Sequence, residues 1–202
     1  MAEEAGGIPV DLVRALKAVP SSYLRYYYCF DDVMREQKGG EQTRATEVMD
    51  IETKLLELYR DPSLDTKPAL LENRGGAFYS EAAAQLMASL HDGRGDIQVV
   101  DTRNDGAIPD LPSDAVVEVP ARIDRDGPHP LPAAELSPEM RGLVQHAKAY
   151  EQLAVEAAVT GDREVALRAL MANPLVGRYD IAAPLLDELL RINEAYLPQF
   201  RS

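Results

Sequence analysis

Ala115-Val116-Val117-Glu118-Val119-Pro120-Ala121-Arg122-Ile123-Asp124 is rich in β-branched residues and reads as a β-strand. Glu118 alternates with apolar neighbours, which places it on the outward face of that strand. Asp96 to Arg103 (DIQVVDTR) has the same character and predicts a second strand. Half of the chain's 14 prolines lie between Pro109 and Pro138, which forbids a continuous central sheet or helix there. Asp126-Gly127-Pro128 is a turn between strand segments. A small antiparallel sheet over about 96–131 follows.

On both sides of this sheet the pattern is helical. Leu12, Val13 and Leu16 predict a short helix stopped by Pro20. Ser21 or Ser22 is the expected cap of a second helix, and Gly39-Gly40 marks a loop. Thr43 caps a long amphipathic helix with Val48, Ile51, Leu55 and Leu58 on one stripe, ended by Asp61-Pro62-Ser63. Asn73-Arg74-Gly75-Gly76 reads as a turn that opens a helix over Ala77 to Leu90. After the sheet, Ser137-Pro138-Glu139 starts a helix that ends at Gly161. Asp162 caps another that stops at Asn173-Pro174. A last helix runs from Asp180 to Tyr196, with Pro184 in its first turn. Helices, a small sheet and helices again make the fold class α+β, mostly helical.

The chain has 202 residues, enough for a core of its own. Its 46% hydrophobic and 27% charged residues are ordinary globular composition. A formal net charge of -13 with no basic stripe argues against nucleic-acid binding. One cysteine, Cys29, excludes an internal disulfide and fits a reducing compartment. No signal-peptide pattern and no bilayer-length apolar run is present, so the expectation is a cytoplasmic protein without a membrane partner.

Self-announcing active-site motifs are missing. The sequence holds no Gly-x-Gly-x-x-Gly after a strand, no P-loop, no His-Glu-x-x-His and no Gly-x-Ser-x-Gly. His91, His129 and His146 are scattered and read as surface or packing residues. Two arginines are better candidates. Arg44 sits in the first turn of the helix capped by Thr43, the wrong end for a cation. A helix start with an arginine suits an anion or a hydroxyl-rich ligand; the alternative is a solvated pair with Glu47 or Glu41. Arg74-Gly75-Gly76 can place a guanidinium and backbone amides beside a ligand, or be a tight turn needing positive φ.

Ser22-Tyr23-Leu24-Arg25-Tyr26-Tyr27-Tyr28-Cys29-Phe30 holds four of the nine tyrosines. Such a cluster is either a set of packing aromatics or a pocket that uses hydroxyls. YLRYYY, QTRATEVMDIE, NRGGAFYSEAA, VVDTRNDGAIPDLP, AVVEVPARI, KAYEQLAVEAAVTGD and AYLPQF together resemble the carboxy-terminal half of the 6-phospho-β-glucosidases of glycoside hydrolase family 4. The resemblance runs in order from about Ile8 to Phe200. It implies a domain of the lactate dehydrogenase carboxy-terminal type over 21–202, with 1–20 a connecting segment from an amino-terminal Rossmann half that this chain lacks.

The resemblance also implies chemistry outside the usual two-carboxylate scheme for glycosidases. NAD oxidises the sugar hydroxyl at carbon 3, a divalent metal, typically manganese, stabilises the carbonyl and enolate, and a base removes the proton at carbon 2. The aglycone leaves by elimination, water adds and the hydride returns. The implied base is a tyrosine, matched to Tyr23 with Tyr27 as the alternative one helical turn on. A phenol ordinarily ionises near pH 10, so a cation such as Arg44 or the metal should favour the phenolate. Arg44 in Thr-Arg-Ala-x-Glu-Val matches an arginine that contacts substrate hydroxyls, and Arg74 is a further substrate-binding candidate. NAD and metal are implied to bind mainly in the other half, with no cofactor or metal ligand in this chain. Cys29 does not match the family's metal cysteine. The implied substrate is a phosphorylated disaccharide or aryl 6-phospho-β-glucoside, and the implied assembly a homo-oligomer. The competing expectation is an inactive remnant that serves as an oligomerisation or binding module.

Overall fold

The computed structural model describes residues 4–200 apart from 6, 41, 76 and 77. It divides into two compact units, one of Met1–Gly95 with Ile123–Asp126 and one of Asp96–Arg122 with Gly127–Ser202. Among the described residues no helix is long and apolar enough to cross a membrane.

In the first unit, a two-stranded antiparallel ribbon pairs β1 (Glu4–Ala5) with β2 (Ile8–Pro9). It leads into α1 (Val10–Leu16). The tyrosine segment is not the single helix expected. Ser22–Leu24 forms a 3₁₀ turn, α2 (Arg25–Tyr28) a single turn, and Cys29 breaks the path at φ -121°, ψ 38° before α3 (Phe30–Gly39). Thr43 caps α4 (Arg44–Leu58) as its sequence requires, its Oγ1 accepting the Thr46 N–H at 3.2 Å. Ile51 and Leu55 are the buried residues of the expected stripe, while Leu58 is exposed.

A short helix absent from the sequence reading, α5 (Leu70–Arg74), precedes Gly75. Asn73 and Arg74 are therefore helical, and Gly75, which follows them, takes a φ of 92° that a side chain would resist. α6 spans Tyr79–Asp92, two residues later at each end than expected. Gly76 and Ala77 lie outside the described residues.

In the second unit, β3 (Asp96–Arg103), β4 (Val116–Asp124) and β5 (Gly127–Pro130) form an antiparallel sheet in that order. Ile123 and Asp124, the end of β4, are grouped with the first unit. Val117, Val119, Ala121 and Ile123 are buried while Val116, Glu118, Pro120 and Arg122 are exposed. Glu118 thus faces outward as its alternation predicted. Val117 and Val119 pack with Leu111, Ile108 and Val144.

α7 (Pro138–Thr160), α8 (Arg163–Ala172) and α9 (Tyr179–Ile192) form the second core, centred on Ala157, Val165, Ala166 and Leu186. Asp162 caps α8 by accepting the Glu164 and Val165 N–H groups at 2.8 and 3.1 Å. The last helix starts at Tyr179 and stops at Ile192, so Pro184 lies inside it, and Glu194–Tyr196 and Pro198–Phe200 are 3₁₀ turns instead.

The β3–β4 connection is built on Asn104, whose side chain is completely buried. Its Nδ2 donates to the Ile108, Leu111 and Pro112 carbonyls at 3.0, 3.1 and 3.0 Å, and its Oδ1 accepts the Ile108 N–H at 2.7 Å. Asn104→Ala strips a partner from all four groups at once. The expected loss is about 2–4 kcal/mol, read as a lower urea midpoint with an unchanged m-value.

Candidate functional site

The cation and hydroxyl groups singled out from the sequence lie in the first unit. Tyr23 is in the 3₁₀ turn, whose entry is fixed by the Ser21 hydroxyl accepting the Tyr23 N–H at 3.4 Å. The side chain is 79% exposed, and its hydroxyl makes no hydrogen bond to another described residue. Tyr27, 42% exposed on α2, stacks edge-on against Tyr28 with ring centroids 5.0 Å apart. The path from Tyr23 to Tyr27 passes from a 3₁₀ turn into an α-turn, so the two do not share one regular helix face. Tyr23, Tyr26 and Tyr27 are all exposed. The cluster is a surface array rather than core packing.

Arg25, between these tyrosines, is only 26% exposed and forms an ion pair with Glu36 of α3. Gly7 makes room for it, since a Cβ there would meet the Arg25 Cδ and Nε at 3.2 Å. Arg35 pairs with Asp32 one turn along α3. Hydrogen bonding to Arg25, and then the charges of Arg25 and Arg35, hold the Glu36 carboxyl below its usual range. Arg25, Arg35, Asp32, Glu36 and Cys29 wall a polar pocket of about 190 Å³.

Arg44 and Arg74 both lie at the α4–α5 contact. The Arg44 Nη1 donates to Glu47 Oε2 at 2.6 Å, and Nη2 donates to the Asn73 carbonyl at 2.7 Å. Of the two partners weighed from the sequence, Glu47 is the one observed; Glu41 lies outside the described residues. Arg74, the last residue of α5, approaches Glu52 of α4 at 3.7 Å. Each helix therefore supplies an arginine that reaches the other. Both side chains stay partly exposed, 57% for Arg44 and 44% for Arg74. No hydrogen bond or ion pair joins Tyr23 to either arginine among the described residues. The expected support of Arg44 for a Tyr23 phenolate is not a direct contact here.

Sequence reasoning missed Glu52 and the Asn73 carbonyl, because both pairings cross a gap of more than twenty residues and leave no local pattern. Among the described residues no three His, Cys, Asp or Glu side chains are gathered closely enough to hold a metal ion. The chemistry available is that of an exposed phenol and two oriented guanidinium groups, fit for hydroxyl and anion contacts.

Residues 2–176 match the model of the family 4 glycosyl hydrolase C-terminal domain. A probable 6-phospho-β-glucosidase of Bacillus subtilis is 45% identical over 193 residues, 94% of this chain and 44% of that protein. The 6-phospho-β-glucosidase of Thermotoga maritima, solved with NAD and glucose-6-phosphate, superposes with a TM-score of 0.87 at 34% identity over 94% of this chain and 46% of that one. Its complex with manganese, NAD⁺ and glucose-6-phosphate gives 0.86. The chain spans less than half the length of these relatives. It belongs to the family 4 glycosyl hydrolases and has the fold of their C-terminal domain.

The Arg44 link to Asn73 makes a local prediction. Arg44→Ala should speed amide hydrogen exchange of Leu70–Arg74 about five-fold, the effect of losing about 1 kcal/mol, whereas Glu47→Gln should leave it within two-fold of the parent. Exchange mass spectrometry on that peptide reads the difference.

Proposed function

We propose that this family 4 C-terminal domain is the substrate-side part of a 6-phospho-β-glucosidase, which hydrolyses the O-glycosyl bond of a phosphorylated disaccharide or an aryl 6-phospho-β-glucoside. The observation that carries the reading is the 45% identity with the Bacillus subtilis relative over nearly the whole chain. The exposed Tyr23 hydroxyl and the paired Arg44 and Arg74 supply groups of the right chemistry on one compact unit.

The described residues do not fit NAD or manganese by themselves. They gather no metal-binding cluster, and their strands form an antiparallel ribbon and a small antiparallel sheet rather than the parallel strand–helix–strand unit of a dinucleotide site. Both groups are assigned to the part of the relatives outside the matched segment. What remains for this chain is proton transfer and orientation of the sugar.

In this reading Tyr23 is the base that takes the proton from carbon 2 of the sugar. Its hydroxyl is accessible and uncommitted, as a group that must meet a substrate atom requires. Arg44 contacts sugar hydroxyls. With Nη1 and Nη2 each making one bond within the protein, the guanidinium still has three N–H donors to offer. Arg74, tethered only loosely to Glu52, is the second substrate contact. Tyr27 is the alternative base.

Joining this chain to the amino-terminal half of a relative tests the assignment. Tyr23→Phe should lower kcat on an aryl 6-phospho-β-glucoside by about 100- to 10,000-fold with little change in KM, and the folding midpoint should hold because the exposed ring is kept. Arg44→Ala should raise KM as well as lower kcat. Full activity in Tyr23→Phe with loss in Tyr27→Phe would move the base to Tyr27. The 202-residue chain alone, supplied with NAD, manganese and reductant, should show no turnover.

A further inference from the structure

The segment that presents Tyr23 has no core of its own. Neither the 3₁₀ turn nor α2 contains a buried residue, and the Ser21 contact at the turn's entry is long, 3.4 Å. A base still has to hold its hydroxyl in place, since a misplacement of about 1 Å costs on the order of 100-fold in rate. An interaction other than apolar burial has to fix the direction of this turn.

Arg25 is the residue placed to do so. Its N–H donates to the Ser22 carbonyl and closes the 3₁₀ turn, while its own carbonyl accepts the Cys29 N–H at 2.8 Å and closes α2. The joint between the Tyr23 turn and the following helix is therefore the Arg25 peptide. The side chain ties that joint to two further elements. Its Nη2 donates to Glu36 Oε1 of α3, eleven residues on, whereas Arg14, Arg35, Arg44, Arg60 and Arg191 each pair with a carboxylate three residues away. Those local pairs are more than half exposed on both members. Arg25 is only 26% exposed, so its pair is less screened by water. On its other side, the Arg25 Cδ and Nε fill the space that a Cβ at Gly7, in the turn of the β1–β2 ribbon, would enter at 3.2 Å.

We propose that Arg25 is a positioning residue for Tyr23: clamped between Glu36 and the Gly7 turn, it sets the direction of the turn that presents the Tyr23 hydroxyl. The kinetic consequence rests on the reading of Tyr23 as the base, and the positional one does not.

Two measurements keep them apart. In the 202-residue chain, Arg25→Met keeps the aliphatic stem and removes the guanidinium. Exchange mass spectrometry should show the Ser22–Tyr28 amides exchanging about five-fold faster, with α7 and α8 unchanged. Glu36→Gln, at an exposed carboxylate, should give an increase of about three-fold, and it carries the same test if Arg25→Met does not fold. Arg35→Gln, which removes the neighbouring pair, should stay within about two-fold of the parent. In the chain joined to a relative's amino-terminal half, Arg25→Met should lower kcat by about 30- to 100-fold with KM held within about two-fold. Arg25→Lys, which keeps the cation, should recover kcat to within about five-fold of the parent. In a Tyr23→Phe background, Arg25→Met should cost less than about three-fold more, because no hydroxyl is left to position. Unchanged exchange over Ser22–Tyr28 in both Arg25→Met and Glu36→Gln overturns the proposal. So does a kcat loss that persists in full in the Tyr23→Phe background, or an Arg25→Lys no better than Arg25→Met. Full activity of Tyr23→Phe, with faster exchange in Arg25→Met, would remove the base assignment and leave the anchor standing.

Discussion

Asn104 shows what the second unit depends on. The connection between β3 and β4 buries Asn104, Ala107, Leu111 and Ala115 while Asp105, Gly106, Pro109 and Pro112 to Asp114 stay exposed, so its inward-facing peptide groups must find partners within the protein. A buried peptide group without a partner costs more than an ordinary hydrogen bond gains. One amide side chain meets three carbonyls and one N–H of the same loop. The strands continue into it through Asn104 N–H to the Ala115 carbonyl at 2.8 Å and Asp105 N–H to the Ser113 carbonyl at 2.9 Å. Asp105 and Gly106 take positive φ, 42° and 89°, to fold the chain around the side chain. With the loop closed, Ile108 and Leu111 are delivered to Val117 and Val119, and Val144 of α7 packs on the same group. The polar network and the apolar cluster are two sides of one construction.

The sheet was legible in the sequence because one face of β4 is buried, and a period of two then appears in the residues themselves. The residue types of Asn104-Asp105-Gly106 suit a turn, but they do not reveal that the asparagine points inward. Helix starts with a side-chain cap, Thr43 and Asp162, were placed to the residue, since the cap is a local bond. α7 also begins and ends where expected, marked by Pro138 at its first position and Gly161 after its last rather than by a capping side chain. α5 is only five residues long and has no capping side chain, so nothing nearby announces it. Pro184 was placed in a first turn because proline is most easily tolerated there; the helix instead starts at Tyr179 and contains it, with packing of Ala182 and Leu186 on either side. Tertiary burial overrode a local preference.

The candidate site was legible in a different way. No periodicity distinguishes Tyr23 from its neighbours, and only the spaced motifs shared with family 4 single it out. The break at Cys29 and the 3₁₀ turn at Ser22–Leu24 were hidden because four consecutive helix-compatible residues look alike whatever turn they adopt. Arg44 could be found from local physics, as a cation at the positive end of a helix. Its second anchor, the Asn73 carbonyl, could not.

That anchor changes what a cation at a helix start means. An arginine held only by Glu47 would be one more exposed i,i+3 pair, worth about 0–1 kcal/mol and easily exchanged for another anion. The bond to Asn73 is of another kind, because it ties the first turn of α4 to a peptide group beside Arg74 and limits the directions the guanidinium can take. A negatively charged or hydroxyl-rich ligand can displace Glu47 at little cost while Asn73 keeps its bond. The cost of orienting a long, flexible side chain is then met in the fold before any ligand arrives, which is the condition for affinity from few contacts. In a chain with 34 acidic residues against 21 basic ones, long-range attraction does not gather anions. In the function proposed above, recognition of a phosphorylated sugar would come from guanidinium groups at short range, with Arg44 held by Asn73 and Arg74 tethered loosely to Glu52.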